Sequence, residues 1–204
     1  MWDVAQMSSA EVAELRERYE PLTASIRALV DAALRTDAGD DVVALATAEV
    51  DAVTARLREH QREGWLPLTV TPDGQNIGWG NMADGIRNPL APPLVVEFDG
   101  PTKAHIDVDL GAAYEGAPGH LHGGYCAVVI DHLMGYVASY GEVGTVAATG
   151  TISFRYQRPT RLGSVRVEAE IQRTEGRKIF VAGHLADADG VTVTAEGLFI
   201  SLQR

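Results

Sequence analysis

The 204-residue sequence predicts an α+β protein: an antiparallel sheet of about six strands wrapped around one central helix, behind an N-terminal helical extension. Three observations carry this. Apolar residues keep helical spacing from Ser9 to about His60, apolar and polar residues alternate after Pro93, and one long apolar segment, Gly124 to Tyr140, interrupts the alternating runs.

In the extension, residues 1–63, Val12, Leu15, Tyr19, Leu22, Ile26 and Leu29 recur three or four apart. Ser9 with Val12 is only a partial cap signal, whereas Asp40-Asp41 ahead of Val42-Val43-Ala44-Leu45 marks a second helix start. Asp37 to Asp40 then forms the break between two helices. Residues 64–93 change to Gly, Pro, Asn and Asp around Trp65 and Trp79, which predicts a connecting loop with sparse regular structure, partly anchored by those aromatics. Asn88-Pro89 and Pro92-Pro93 predict extended backbone entering the domain at 94–204.

In that domain Leu94 to Phe98 and Ala104 to Leu110 flank Asp99-Gly100, a hairpin signal. Ala147 to Tyr156, Ser164 to Thr174, Arg177 to Asp187 and Val191 to Leu202 are four longer strands, with turns at Glu175-Gly176 and Asp189-Gly190. A sequential antiparallel meander is expected from them. Gly124 to Tyr140 is too long for a strand of this kind and is expected to be the buried helix.

The formal charge of −11, from 17 Lys+Arg against 28 Asp+Glu, argues against nucleic acid as a partner. The single cysteine, Cys126, excludes an intrachain disulfide and a cysteine-rich metal site. Lacking a leader-like start or a run of about 18 apolar residues, the chain reads as cytoplasmic and not inserted in a membrane.

On the predicted central helix Gly124, Ala127, Asp131, Gly135 and Ala138 share one face, and Cys126, Ile130, Leu133 and Val137 the other. Asp131 is thus the one acidic group on a stripe of small residues. Burying an unpaired carboxylate is costly, so Asp131 needs a partner or a function. His122-Gly123-Gly124 sets two glycines at the helix start, where unpaired amides and the positive end of the helix dipole can receive a negative oxygen. Eight residues of helix separate Gly123 from Asp131, roughly 12 Å along the axis, so one reacting carbon cannot touch both within a subunit. If both act, they do so in a site shared between two copies related by a two-fold axis.

Tyr114 to Gly124, followed after six residues by Asp131, resembles the PaaI-like hotdog thioesterase family, and Thr149 to Pro159 resembles that family's strand after the helix. The likeness runs from about Asn88 to Leu202. It implies a hotdog fold and an acyl-CoA thioesterase, homodimer or homotetramer, that uses no cofactor or metal beyond the coenzyme A of its substrate. It further implies Asp131 as general base or nucleophile, the Gly123 amide as oxyanion donor, His122 as a group that orients the carbonyl or holds the loop, and Thr149 as a hydroxyl beside the attacking water. Gly124 and Gly116 would line the thioester site. Gly116 stands where several relatives carry Asn or Gln, which leaves one polar contact unaccounted for.

Arg155, Arg158 and Arg161 form a small basic cluster that either contacts coenzyme A phosphates or balances nearby carboxylates. Two further readings stand beside hydrolysis: a non-catalytic acyl-CoA or lipid binder, and a hotdog dehydratase or hydratase, for which Asp131 shows no histidine partner in the sequence.

Overall fold

Ser8, not Ser9, starts the first helix. In a computed structural model, which describes residues 4–139 and 146–202, the Ser8 hydroxyl accepts from the Glu11 amide while the Glu11 carboxylate accepts from the Ser8 amide. Ser-x-x-Glu is the reciprocal capping box. Its hydrogen bonds also hold the Glu11 pKa below the usual carboxylate value.

Helix α1 spans Ser9–Arg35 and α2 spans Asp40–Arg58, with the break where Asp37 to Asp40 predicted it. Strand β1, Val4–Gln6, pairs in parallel with β2, Leu68–Val70, which pairs with β3, Asn76–Gly78. Regular structure within residues 64–93 amounts to β2 and β3, two short strands of a small second sheet. Trp79 anchors this segment, being 3% exposed with its indole N–H donating to Thr69 Oγ1 at 2.8 Å. Trp65 anchors nothing, at 92% exposed. Around Asn88 the chain turns instead of extending, because the Asn88 side chain accepts from the Leu90 amide.

The large sheet contains β4 (Glu97–Phe98), β5 (Lys103–Leu110), β6 (Ala147–Tyr156), β7 (Gly163–Glu175), β8 (Lys178–Asp187) and β9 (Gly190–Ser201). The hairpin at Asp99-Gly100 forms, although only Glu97 and Phe98 of the predicted first strand pair. Strand order is β4-β5-β7-β8-β9-β6. The expected sequential meander thus holds for β7, β8 and β9, while β6 pairs with β9 at the far edge. Helix α3, Gly123–Ser139, explains the displacement: it touches every strand from β5 to β9 and carries the chain across the sheet before β6 begins. Tyr140, expected to end this helix, lies outside the described residues.

The core lies between α3 and one sheet face. Ile130, Leu133, Met134 and Val137 of α3 are fully buried, as are Ile106, Val167 and Phe199 from three different strands. Two mid-strand glycines let the helix sit close. A Cβ at Gly197 would come within 2.9 Å of Met134 Cε, and one at Gly183 within 3.1 Å of its sulfur. Cys126, 1% exposed, is a core residue whose thiol burial pushes up in pKa.

Candidate active site

Helix α3 starts at a cap made by His122. The His122 carbonyl accepts from the Tyr125 and Cys126 amides, and its ring Nδ1 accepts from the Gly124 amide at 3.0 Å. The Gly124 N–H is therefore already satisfied, which corrects the expectation of two available amides. For the Gly123 N–H no hydrogen-bond partner occurs among the described residues. It stands at the positive end of a 17-residue helix, where an oxygen carrying negative charge is stabilised.

Gly116 supports the same turn. Its amide donates to the His120 carbonyl at 2.9 Å, and a Cβ there would lie 2.8 Å from His122 Cα. Here the position serves backbone packing, and an Asn or Gln side chain would displace His122.

Asp131 is half-buried two turns further along α3, and its partner is Thr149, whose hydroxyl donates to Oδ1 at 2.9 Å. The two residues are 18 apart in sequence, and β6 brings them together. The same strand reaches the helix start: the Tyr156 hydroxyl donates to the Gly123 carbonyl at 2.8 Å. In a regular strand Thr149 and Tyr156, seven positions apart, would face opposite sides. A bulge between Thr149 and Thr151 resets the alternation so that both face α3. Gly150 makes this possible, since a Cβ there would stand 3.2 Å from the Leu198 carbonyl. A glycine inside a strand pattern is a bulge signal, so Tyr156 was within reach of the sequence.

Asp84 was not. It lies in the 64–93 segment, accepts from the Tyr136 hydroxyl at 2.7 Å and stands 3.2 Å from His132 Nε2, a close contact in poor hydrogen-bond alignment. Burial works to raise its pKa, yet His132 and Tyr136 hold it below the usual value. Tyr136 is pushed up, by burial first and by the Asp84 charge second. His132 thus has a carboxylate partner, but that partner is Asp84, not Asp131. This cluster ties the segment to the middle of α3. Leu90 ties it to the helix start and to the turn before it, its carbonyl accepting from the Tyr125 hydroxyl at 3.5 Å and the Tyr114 hydroxyl at 3.2 Å.

The basic cluster separates. Arg158 donates to both Asp187 oxygens, at 2.9 and 2.5 Å, and to the Gly190 carbonyl, so it clamps the β8–β9 turn. Arg161 pairs with Asp189 at 3.1 Å. Arg155 lies on the sheet face away from α3, in an open groove with Lys103, Glu168 and His184, so its own chain does not bring it to Asp131. Among the described residues no group of three or more His, Cys, Asp or Glu side chains is arranged to hold a metal, and no helix is long and apolar enough to cross a membrane.

The Asp187 side chain is 3% exposed, and hydrogen bonding from Arg158 holds its pKa far below the ordinary aspartate value of 3.8. A lowered folded-state pKa stabilises above the unfolded value and is lost as pH falls through the folded one. Asp187→Asn is therefore expected to be less stable than wild type at neutral pH, with the gap closing as pH falls below 3.8 toward the depressed value. Denaturant unfolding of both proteins across that window measures the gap, and a constant difference would contradict this account.

Comparison with known proteins agrees with this architecture. Residues 118–194 match the sequence pattern of the thioesterase superfamily. The chain is 35% identical over 95 residues to acyl-coenzyme A thioesterase THEM4 of Bos taurus, covering 45% of this chain and 38% of that protein. The mouse counterpart is 38% identical over 96 residues, covering 45% and 40%. The chain thus spans about two-fifths of the length of these curated relatives. A crystal structure of a thioesterase superfamily protein matches much more completely, with 34% identity, TM-score 0.78, and coverage of 89% of this chain and 90% of that one. Thioesterase superfamily member 2 of zebrafish shares the fold at TM-score 0.52 and 18% identity. With a relative this similar along almost its whole length, the chain belongs to the thioesterase superfamily.

Proposed function

We propose that the protein is an acyl-CoA thioesterase, which hydrolyses a thioester to a free acid and coenzyme A. The observation that carries this is the hydrogen bond from Thr149 to Asp131, which fixes a carboxylate beside a hydroxyl able to hold water. Asp131 acts as general base on that water, or as nucleophile, and the unpartnered Gly123 amide receives the developing oxyanion. His122 holds the helix start through Gly124, leaving the Gly123 amide as the donor. A thioester needs nothing further, so the reaction uses no metal or organic cofactor.

The axial separation of Gly123 and Asp131 requires two copies, and β6 supports their arrangement. It is a ten-residue edge strand whose outer side is unpaired among the described residues. Thr149 marks Asp131 on this strand and Tyr156 marks Gly123. Antiparallel pairing of two β6 strands about their middle sets Thr149 of one copy across from Tyr156 of the other. Asp131 of one subunit then serves the Gly123 amide of its neighbour. The setting is cytoplasmic, where the lone Cys126 stays a thiol.

Hydrolysis of a panel of acyl-CoAs, followed with a thiol-trapping dye, tests the reading; tight binding without thiol release would favour a non-catalytic acyl-CoA binder instead. Thr149→Val is expected to lower kcat on the order of tenfold, the worth of one hydrogen bond to a charged group. An unchanged kcat would remove the hydroxyl from the reaction.

A further inference from the structure

Helix α2 has 19 residues and none of them is buried. Isolated helices of this length are marginal in water, and most helices in proteins persist because one face is packed. Its exposed Val42 and Leu45 lie off any single line, but five other apolar residues align along the helix. Val43, Ala46, Val50, Val53 and Leu57 follow at steps of three, four, three and four, the seam of a two-helix pair. Val43, Val50, Val53 and Leu57 are 47, 40, 46 and 47% exposed, so nothing among the described residues covers the seam.

Glu49 and Arg56 flank that seam, each one residue before a seam position and both on the same side of it. This pattern selects the occupant. When two copies of α2 pack antiparallel about a two-fold axis, Val50 meets the second copy's Val53 and Ala46 meets its Leu57, a small residue against a large one. In that register Glu49 of each helix lies beside Arg56 of the other, so symmetry forms the ion pair twice. On the other flank Thr47 meets Thr54, with no like charges opposed. Parallel in-register packing would set Ala46 against Ala46, leave a gap in the seam, and pair neither charge with its opposite.

We infer that α2 is a self-association element that pairs antiparallel with α2 of a second copy of this chain. The contact is separate from the β6 edge and independent of the catalytic reading: it uses no residue of the site and needs no substrate.

The experiment uses the full chain with Glu49→Cys and Arg56→Cys together, exposed to a mild oxidant and resolved without reductant. Within one helix the two positions are two turns apart, about 10 Å, too far for an internal disulfide. The native Cys126 is buried and does not compete. The expected product is a covalent pair of chains without a ladder of larger multimers, because both bridges join the same two copies. Each single cysteine variant is expected to stay unlinked, since a position and its own counterpart lie about two turns apart in this register. Adding Val50→Asp to the double variant is expected to abolish the link while thiolesterase activity stays within about twofold. The inference is overturned if the double variant fails to cross-link, if either single variant links as readily, or if Val50→Asp leaves the yield unchanged. Loss of hydrolysis in every variant, wild type included, would count against the proposed reaction and leave the helix pairing standing on its own result.

Discussion

Asp131→Asn is expected to lower kcat/KM for acyl-CoA by about 1,000-fold, within the range that a positioned acid or base contributes. At about 1.4 kcal/mol per factor of ten, this is about 4 kcal/mol of transition-state stabilisation. The substitution is nearly isosteric, and the amide oxygen can still accept from the Thr149 hydroxyl that reaches Oδ1 at 2.9 Å. What disappears is the charge. The loss is therefore expected in kcat with KM little changed, the pattern of an interaction made in the transition state. Because Asp131 is only half-buried in the single chain, the folded state is expected to tolerate the change. Steady-state kinetics with a thermal melt of the same sample checks both parts. Undiminished turnover would remove Asp131 from the mechanism.

The second large effect is expected at Gly123, where two substitutions separate the amide from the space around it. Gly123 is the first residue of α3, a position at which proline is tolerated because its missing N–H has no partner within the helix. Gly123→Pro deletes the proposed oxyanion donor and is expected to cost about 100- to 1,000-fold in kcat, the usual loss for one such donor. A Cβ here would stand 3.3 Å from the Tyr156 ring, so a steric contribution accompanies any substitution. Gly123→Ala supplies the same Cβ and keeps the N–H, and it is expected to retain most of the activity. Equal losses in the two variants would assign the effect to crowding against Tyr156 and not to the amide.

Local chemistry explains how much of the molecule was legible in advance. The two N-terminal helices follow from apolar spacing and the Asp-rich second start, and the β7–β8–β9 hairpins from Gly176 and Gly190, both of which adopt positive φ. The Ser8–Glu11 box and the Gly150 bulge were present as local signals and escaped notice, the first by one residue. By contrast, nothing near Asp84 announces His132 and Tyr136, because that contact joins an irregular segment to a helix residue, Tyr136, that lies 52 positions further along the chain. For the arginines, sequence spacing cannot choose between phosphate contact and balancing carboxylates. Their spacing of three looked like one surface, yet Arg158 and Arg161 turn to Asp187 and Asp189 while Arg155 lies across the sheet from α3.

By itself the sequence determined the types of the main elements and the chemical kinds present: a carboxylate on an otherwise small-residue stripe, glycines at a helix start, and a hydroxyl on the following strand. Periodicity and turn residues are properties of neighbouring positions, so they can be read without a fold. Only the tertiary structure decided that β6 crosses to the far edge, that its bulge turns Thr149 and Tyr156 to the same helix, and that His122 satisfies Gly124 and leaves the Gly123 amide without a partner among the described residues. Those outcomes depend on strand pairing and packing between residues far apart in the chain, where many arrangements satisfy the same local pattern and burial of one core selects among them.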